Sequence, residues 1–213
     1  MNTAIPNTYS IQLNAQLSNG YWIQDVYSTA AYEEGGAWEP GFGVNVWSPP
    51  SGCTTRNING MPVISCQSNL VALYPPHVYY GATCGWLIIK IANGIAYFGY
   101  SLDGINVDWY YQYPVGNATI VPRLPFNAGT GLVIGGPGAN QYDVDFTSAN
   151  VILALYYWNG SAWQPAPSTP GVTGTEEYVT NAWIYWNNGK AVVSWPQAVN
   201  ETPSVPSPGF TPP

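Results

Sequence analysis

Two runs of alternating residues meet at an Asn-Gly pair near the start of the chain, and this pattern constrains the fold most strongly. The stretch Tyr9–Tyr27 reads YSIQLNAQLSNGYWIQDVY, with Asn19-Gly20 between the two runs. Asn and Gly both tolerate a positive φ, which the tightest hairpin turns require. The sequence therefore predicts a β-hairpin here.

The register of this hairpin decides which residues face the core. A two-residue loop at Asn19-Gly20 predicts that Leu17 pairs with Trp22 and Ala15 with Gln24. One face then carries the amide of Gln24 among apolar residues, namely Leu13, Ala15, Leu17, Trp22 and Val26. A buried amide needs hydrogen-bond partners, and the ordinary interpretation of Gln24 is a satisfied amide. A slip of one residue would move Gln24 to the other face.

Further turn signals follow along the chain, without a fixed period. Asn-Gly pairs recur between apolar runs at residues 59–60, 93–94, 159–160 and 188–189. The chain contains 23 Gly, 20 Pro and 15% aromatic residues, and no window shows a helical period with caps. These features predict an all-β fold, an antiparallel β-sandwich of jelly-roll-like type. We expect one domain over residues 1–197 and a Pro-rich tail over residues 198–213.

Charged residues are unusually scarce. They make up 7% of the chain, whereas about 25% is typical. The four cations, Arg56, Lys90, Arg123 and Lys190, are too few and too scattered for a phosphate-binding patch, which argues against nucleic acid as a partner. A surface of uncharged polar groups changes little when carboxylates are protonated, so an acidic habitat is one explanation. A glycan-coated surface is another.

The sequence favours an extracellular protein. The apolar run Trp86–Ile91, which contains Lys90, is far too short to span a bilayer. No signal peptide is visible, which leaves either a chain exported with a signal ahead of this numbering or a cytosolic chain. Of the two we expect a processed or trimmed secreted chain. Three sequons, at Asn117, Asn159 and Asn200, are consistent with glycosylation after export.

Three cysteines are present. Cys53 and Cys66 bracket a turn-rich segment with Asn59-Gly60 at its centre, which predicts a disulfide between them and leaves Cys84 free. Zinc is not expected, because there is no CxxC pair and the sole histidine is His77. The carboxylates of Asp143 and Asp145 are too few for a convincing calcium site. We therefore expect no metal and no cofactor.

Few residues could carry chemistry. His77 follows two prolines and has no GxSxG motif nearby, so a serine-hydrolase triad is not expected. Carboxylates and amides remain, and these groups suit hydrolysis at low pH. A carboxylate can take a proton from water while an amide N–H donates to the developing oxyanion. A lone carboxylate is nevertheless more often a solvated rim residue.

Several stretches resemble the thermopsins, a family of secreted acid peptidases of heat-loving and acid-loving archaea. The resembling stretches are YSIQLNAQL, YWIQDVY, VNVW, IAYFGYSLDG, LVIGGPGANQYDVDFTSANVILALYYWNGSAWQP and TGTEEYVTNAWIYWNNGKAVVSW, which follow the order of the family. The resemblance implies an extracellular β-rich domain that cuts polypeptides at acid pH without a metal. Glu177 matches the glutamate of the family's Asp-Thr-(Gly/Ala)-Glu motif, although Gly174 stands where the family has Asp. By analogy with glutamic peptidases, which use a Gln–Glu pair, the candidate catalytic residues are Gln24 and Glu177.

Two functions remain open at this stage. One is a secreted acid endopeptidase whose substrate is a polypeptide. The alternative is a non-catalytic extracellular protein, such as a filament subunit, an adhesin or a sugar-binding module, that self-associates when a strand of one copy completes the sheet of another.

Overall fold

The computed structural model describes residues 9–34, 37–58, 61–78, 85–124, 129–135, 142–144, 149–168, 177–179, 183–187 and 190–195. The strands in chain order are β1 (Ser10–Leu17), β2 (Trp22–Glu34), β3 (Ala37–Trp47), β4 (Gly52–Ile58), β5 (Met61–Gln67), β6 (Leu70–Val78), β7 (Trp86–Ala92), β8 (Ile95–Ser101), β9 (Asp108–Pro114), β10 (Ile120–Val121), β11 (Gly131–Gly135), β12 (Tyr142–Val144), β13 (Ala149–Ala154), β14 (Tyr156–Trp158), β15 (Trp163–Pro165), β16 (Glu177–Val179), β17 (Trp183–Asn187) and β18 (Lys190–Trp195). Within these ranges there is no helix, and hence none with the length and apolarity needed to cross a membrane.

The predicted all-β fold is confirmed. The described strands pair antiparallel except for β12 and β16, which run parallel. A jelly-roll order of connections stays a prediction. Cys84, Asn200 and the Pro-rich tail over residues 198–213 lie outside the described residues.

The largest sheet has six strands in the order β10-β1-β2-β3-β6, with β11 pairing with β1 beside β10. We call it the main sheet. Its edge strand β6 continues through Pro75-Pro76. A proline is tolerated there because an edge strand does not need every N–H for the ladder.

The β1–β2 hairpin forms, but its predicted register is wrong by one residue. The N–H of Leu17 donates to the carbonyl of Tyr21 at 2.8 Å, and the N–H of Gly20 donates to the carbonyl of Leu17 at 2.9 Å. The loop therefore has three residues, with Gly20 at φ +97° in its last position, where a glycine avoids steric strain. Asn14 now pairs with Gln24, so Trp22, Gln24 and Val26 lie on the face opposite to the one predicted.

A second sheet, β7-β8-β9, packs against the apolar face of the main sheet, with β7 lying against β1 and β2. Its β7–β8 hairpin turns at Asn93-Gly94, as predicted, with both residues at positive φ. The buried core between the two sheets consists of Ala15, Leu17, Ile23, Val44, Val46, Ala96, Phe98 and Val115. Two sheets with one shared core form a sandwich.

The remaining strands form smaller sheets. β13, β18 and β17 pair in that order, and β12 pairs with β16. β14 and β15 form the hairpin predicted at Asn159-Gly160. β4 and β5 also pair, with Ile58 opposite Met61, so the predicted hairpin around Asn59-Gly60 is confirmed.

Candidate functional site

The main sheet carries a row of buried amides on the face that points away from the core. We call this row the amide layer. It consists of the buried residues Gln12, Asn14 and Gln16 on β1 and Gln24 on β2, together with the half-buried Asn45 on β3. The register places Asn14, Gln24 and Asn45 side by side on three neighbouring strands. The corrected register thus puts Gln24 among other amides and removes it from the apolar face.

The side-chain amide of Gln24 is fully hydrogen-bonded. Its Nε2 donates to Oε1 of Gln12 and to Oδ1 of Asn14, both at 3.0 Å. Its Oε1 accepts from Nδ2 of Asn45 at 3.2 Å and from Nε1 of Trp47 at 3.1 Å. A primary amide offers two N–H donors and two lone pairs, so all four are in use. Gln24 is 6% exposed, and the prediction of a satisfied amide is confirmed.

Gln16 is the exception within the amide layer. Its Nε2 donates to the carbonyls of Leu17 at 3.2 Å and Tyr21 at 2.9 Å, which fixes the orientation of the amide. Its Oε1 is buried and has no hydrogen-bond partner among the described residues. The layer therefore keeps one spare acceptor next to the β1–β2 loop.

Glu177, the other predicted catalytic residue, begins β16. Its backbone lies opposite Tyr142 in the parallel β12–β16 pair, and β16 lies against β11, the neighbour of β1. The structure describes the backbone of Glu177 and not its side chain. The pairing of Gln24 with Glu177 stays a prediction.

Asp25 is a site that the sequence analysis missed. The corrected register turns its side chain into the core between the two sheets, where it is 0% exposed. Oδ1 of Asp25 accepts a short hydrogen bond from the hydroxyl of Tyr110 on β9, and Oδ2 accepts from the N–H of Ile88 on β7 at 3.2 Å. Asp25 therefore connects the main sheet to two strands of the second sheet.

Burial raises the pKa of Asp25 to about 8, although hydrogen bonds from Tyr110 and from the backbone at Ile88 and Gly99 act in the opposite direction. The carboxyl is therefore neutral in acid. The hydroxyl of Tyr110 also lies 3.2 Å from the carbonyl of Gly43. A protonated Asp25 can thus donate to Tyr110 while Tyr110 donates to Gly43, which leaves no buried charge.

A β-bulge aims Tyr110 at Asp25. Phe98 pairs with Tyr111 and Gly99 pairs with Trp109, so Tyr110 is the extra residue of β9. The alternation of side chains along β9 would not by itself predict that Tyr110 points towards Asp25. Two stacked rings, Phe42 on Tyr100 at 4.1 Å between centroids, both lie against the ring of Tyr110.

The other acidic side chains that the structure describes have local roles. Asp103, which is fully exposed, accepts hydrogen bonds from the N–H groups of Ile105 and Asn106 at 2.8 Å, and these bonds hold the pKa of Asp103 well below its usual range. Asp108 accepts from the hydroxyl of Tyr100 at 2.9 Å. In the described part of the chain, no group of three or more His, Cys, Asp or Glu residues could hold a metal ion.

The predicted modification sites are partly described. Cys53 and Cys66 are directly opposite in the β4–β5 register, which suits a cross-strand disulfide, but their side chains are not described. Asn117 and Asn159 are exposed. Both asparagines are therefore accessible for glycosylation, which stays a prediction.

Fold and site together define an antiparallel β-sandwich with a buried layer of amides on one sheet and a buried carboxyl between its sheets. Searches with the chain found no matching family model, no matching curated protein and no matching solved structure.

Proposed function

We propose that the chain is an extracellular, acid-resistant surface protein that self-associates through the edge of its main sheet. The observation that carries this proposal is the edge strand β6. Among the described strands its one partner is β3, and three of its apolar side chains are exposed: Leu70 by 44%, Val71 by 44% and Leu73 by 64%. An exposed apolar edge is a template for pairing with another chain.

The sequence of β6 leaves this edge open to pairing. Its residues LVALYPPHV include no Asp, Glu, Lys or Arg, whereas natural sheets commonly protect an edge with charge. Pro75-Pro76 removes two N–H donors and restricts the usable edge to Leu70–Tyr74. A second copy of this chain supplies the same uncharged edge, so two β6 strands can pair antiparallel about a two-fold axis.

Substitutions on β6 test this proposal. We expect the wild-type chain at pH 3 to form dimers or longer assemblies in light scattering and electron microscopy. Leu73→Lys should make it monomeric, because a lysine on the edge opposes strand pairing. Ile105→Lys, at a turn position that is 68% exposed, is the matched control and should assemble normally. A monomeric wild type, or an L73K variant that still assembles, would contradict the proposal.

A second candidate is the acid endopeptidase that the thermopsin resemblance implies, with Gln24 and Glu177 as its catalytic pair. It is supported by the position of β16 against β11, the neighbour of β1. The full set of hydrogen bonds at Gln24 weighs against it, because an oxyanion would have to displace Gln12 or Asn14 from the amide. For this reason we place self-association first.

A peptide-library digest at pH 3 separates the two functions. If the chain is a peptidase, the wild type cleaves, and Glu177→Gln and Gln24→Ala each lower the rate at least about 100-fold. Gln112→Ala, at an exposed glutamine on β9, should cleave normally. A wild type that assembles without cleaving any peptide supports the surface protein and removes the peptidase.

A further inference from the structure

The outer face of the second sheet carries a groove that neither proposed function uses. Lys90, Tyr97 and Gln112 lie directly opposite one another on β7, β8 and β9. Ala96, Phe98 and Tyr100, the alternate residues of β8, are buried in the core, so Tyr97 is on the outward face. The groove has a volume of about 590 Å³, and Trp109 also lines it.

The rings in this groove are held in fixed positions. Tyr97 and Trp109 are 6.3 Å apart between centroids and meet edge to face at 75°. The Nζ atom of Lys90 lies 5.6 Å from the centroid of Tyr97 and 6.0 Å from that of Trp109, within cation–π range. Gly99, opposite Trp109, leaves room for the indole, since a Cβ at Gly99 would come within 2.8 Å of it. The aromatic surface is therefore preorganised.

We propose that this groove binds a glycan. A sugar ring has an apolar C–H face and a rim of hydroxyl groups, and the groove offers the complement of both. The rings of Trp109 and Tyr97 provide apolar area with a polar tip. The amide of Gln112 and the ammonium of Lys90, which lies over both rings, provide hydrogen-bonding groups. Few polar groups around an aromatic floor are typical of small-ligand sites.

The groove is independent of the self-association proposed above. Its lining residues belong to the second sheet, whereas β6, the edge strand of the main sheet, lies against β9 but contributes no residue to the groove. The monomeric L73K variant should therefore bind the same glycan as the wild type, and a failure of one proposal leaves the other standing.

Tryptophan fluorescence and calorimetric titration with maltopentaose, mannopentaose and trigalacturonic acid test the proposal. We expect saturable binding of at least one of these sugars by the wild type. Trp109→Ala should weaken it at least about tenfold, because aromatic anchors dominate such sites. Trp109→Phe, which keeps a ring, should retain most of the affinity. Gln112→Ala should also weaken binding, and it preserves folding because Gln112 is exposed.

Tyr157→Ala is the matched control, because Tyr157 is a 48% exposed tyrosine outside the groove, and its affinity should equal that of the wild type. Absence of saturable binding to all three sugars would overturn the proposal. So would W109A and Q112A variants that bind as the wild type does. Binding of an unrelated peptide at the same site with equal affinity would also overturn it.

Discussion

Two adjacent residues, Gln24 and Asp25, are buried polar groups, and the cost of removing each from water is offset in a different way. They point to opposite faces of β2, and both are at least 94% buried. Gln24 is neutral, and four neighbours satisfy it completely. Asp25 has fewer partners and avoids the cost of a buried charge by keeping its proton, as its raised pKa indicates. Both groups are therefore uncharged in acid.

Gly99 is the residue on which the approach of Tyr110 to Asp25 depends. A Cβ at this position would lie 2.8 Å from the carbonyl oxygen of Asp108 and 2.8 Å from the ring of Trp109. The backbone of β9 would have to move, so we expect Gly99→Ala to lower the free energy of unfolding by about 1–3 kcal/mol. Chemical denaturation measures this change as a shift in midpoint at constant m.

Gly131→Ala is the control for this prediction. Gly131 lies in β11, and a Cβ added there would meet no atom within 4 Å beyond its chain neighbours, so its replacement should change stability by less than about 0.5 kcal/mol. If G99A and G131A are equally stable, the close packing of β9 on Gly99 is not what fixes the bulge.

At the scale of the element, local signals predict hairpins better than they predict register. Asn93-Gly94 closes a two-residue turn as expected, whereas Asn19-Gly20 belongs to a three-residue loop. The same dipeptide serves both loops. In the two-residue turn Asn93 and Gly94 are both at positive φ, whereas in the three-residue loop Gly20 is and Asn19 is not. Because side chains alternate, this one-residue difference reverses the faces of β2.

Contacts between residues far apart in the chain could not be predicted from the sequence for a related reason. Tyr110 and Asp25 are 85 residues apart, and a bulge rather than the alternation of β9 brings them together. The need of Gln24 for partners could be predicted from its amide, but their identity required the register of three strands. The sequence therefore shows that β1 carries the polar residues Gln12, Asn14 and Gln16. It does not show that they form a hydrogen-bonded network with Gln24.

At the scale of the whole molecule, the scarcity of charged residues and the protonated carboxyl in the core both favour an acidic environment. The chain has 15 charged residues by type, 11 acidic and 4 basic, so few surface interactions are lost when carboxylates are protonated. Asp25 adds an interior group whose neutral form suits the fold. Lowering the pH from about 8 to about 4 should therefore stabilise the sandwich. Below that interval the hydrogen-bonded carboxylate of Asp103, whose pKa is lowered, acts in the opposite direction.

The stability of the wild type should fall as pH rises from about 4 to about 8. The pKa of Asp25 is about 8 in the folded state, whereas its ordinary value, which applies to the unfolded state, is 3.8. Between these two values the folded chain binds one proton more than the unfolded chain. The stabilisation is complete below the unfolded pKa and is lost as pH rises to the folded pKa, with a slope of at most about 1.4 kcal/mol per pH unit. Thermal unfolding followed by circular dichroism at pH 3, 5, 7 and 9 measures the trend.

Asp25→Asn isolates the cause, because it keeps the shape of the neutral carboxyl and does not titrate. Its melting temperature should vary little between pH 4 and 8, since the amide can still accept from Ile88 and donate to Tyr110. Asp108→Asn, at an exposed carboxylate on β9, should show the same decline as the wild type. A decline in D25N as steep as that of the wild type would assign the pH dependence to another group and would leave Asp25 a purely structural contact between the two sheets.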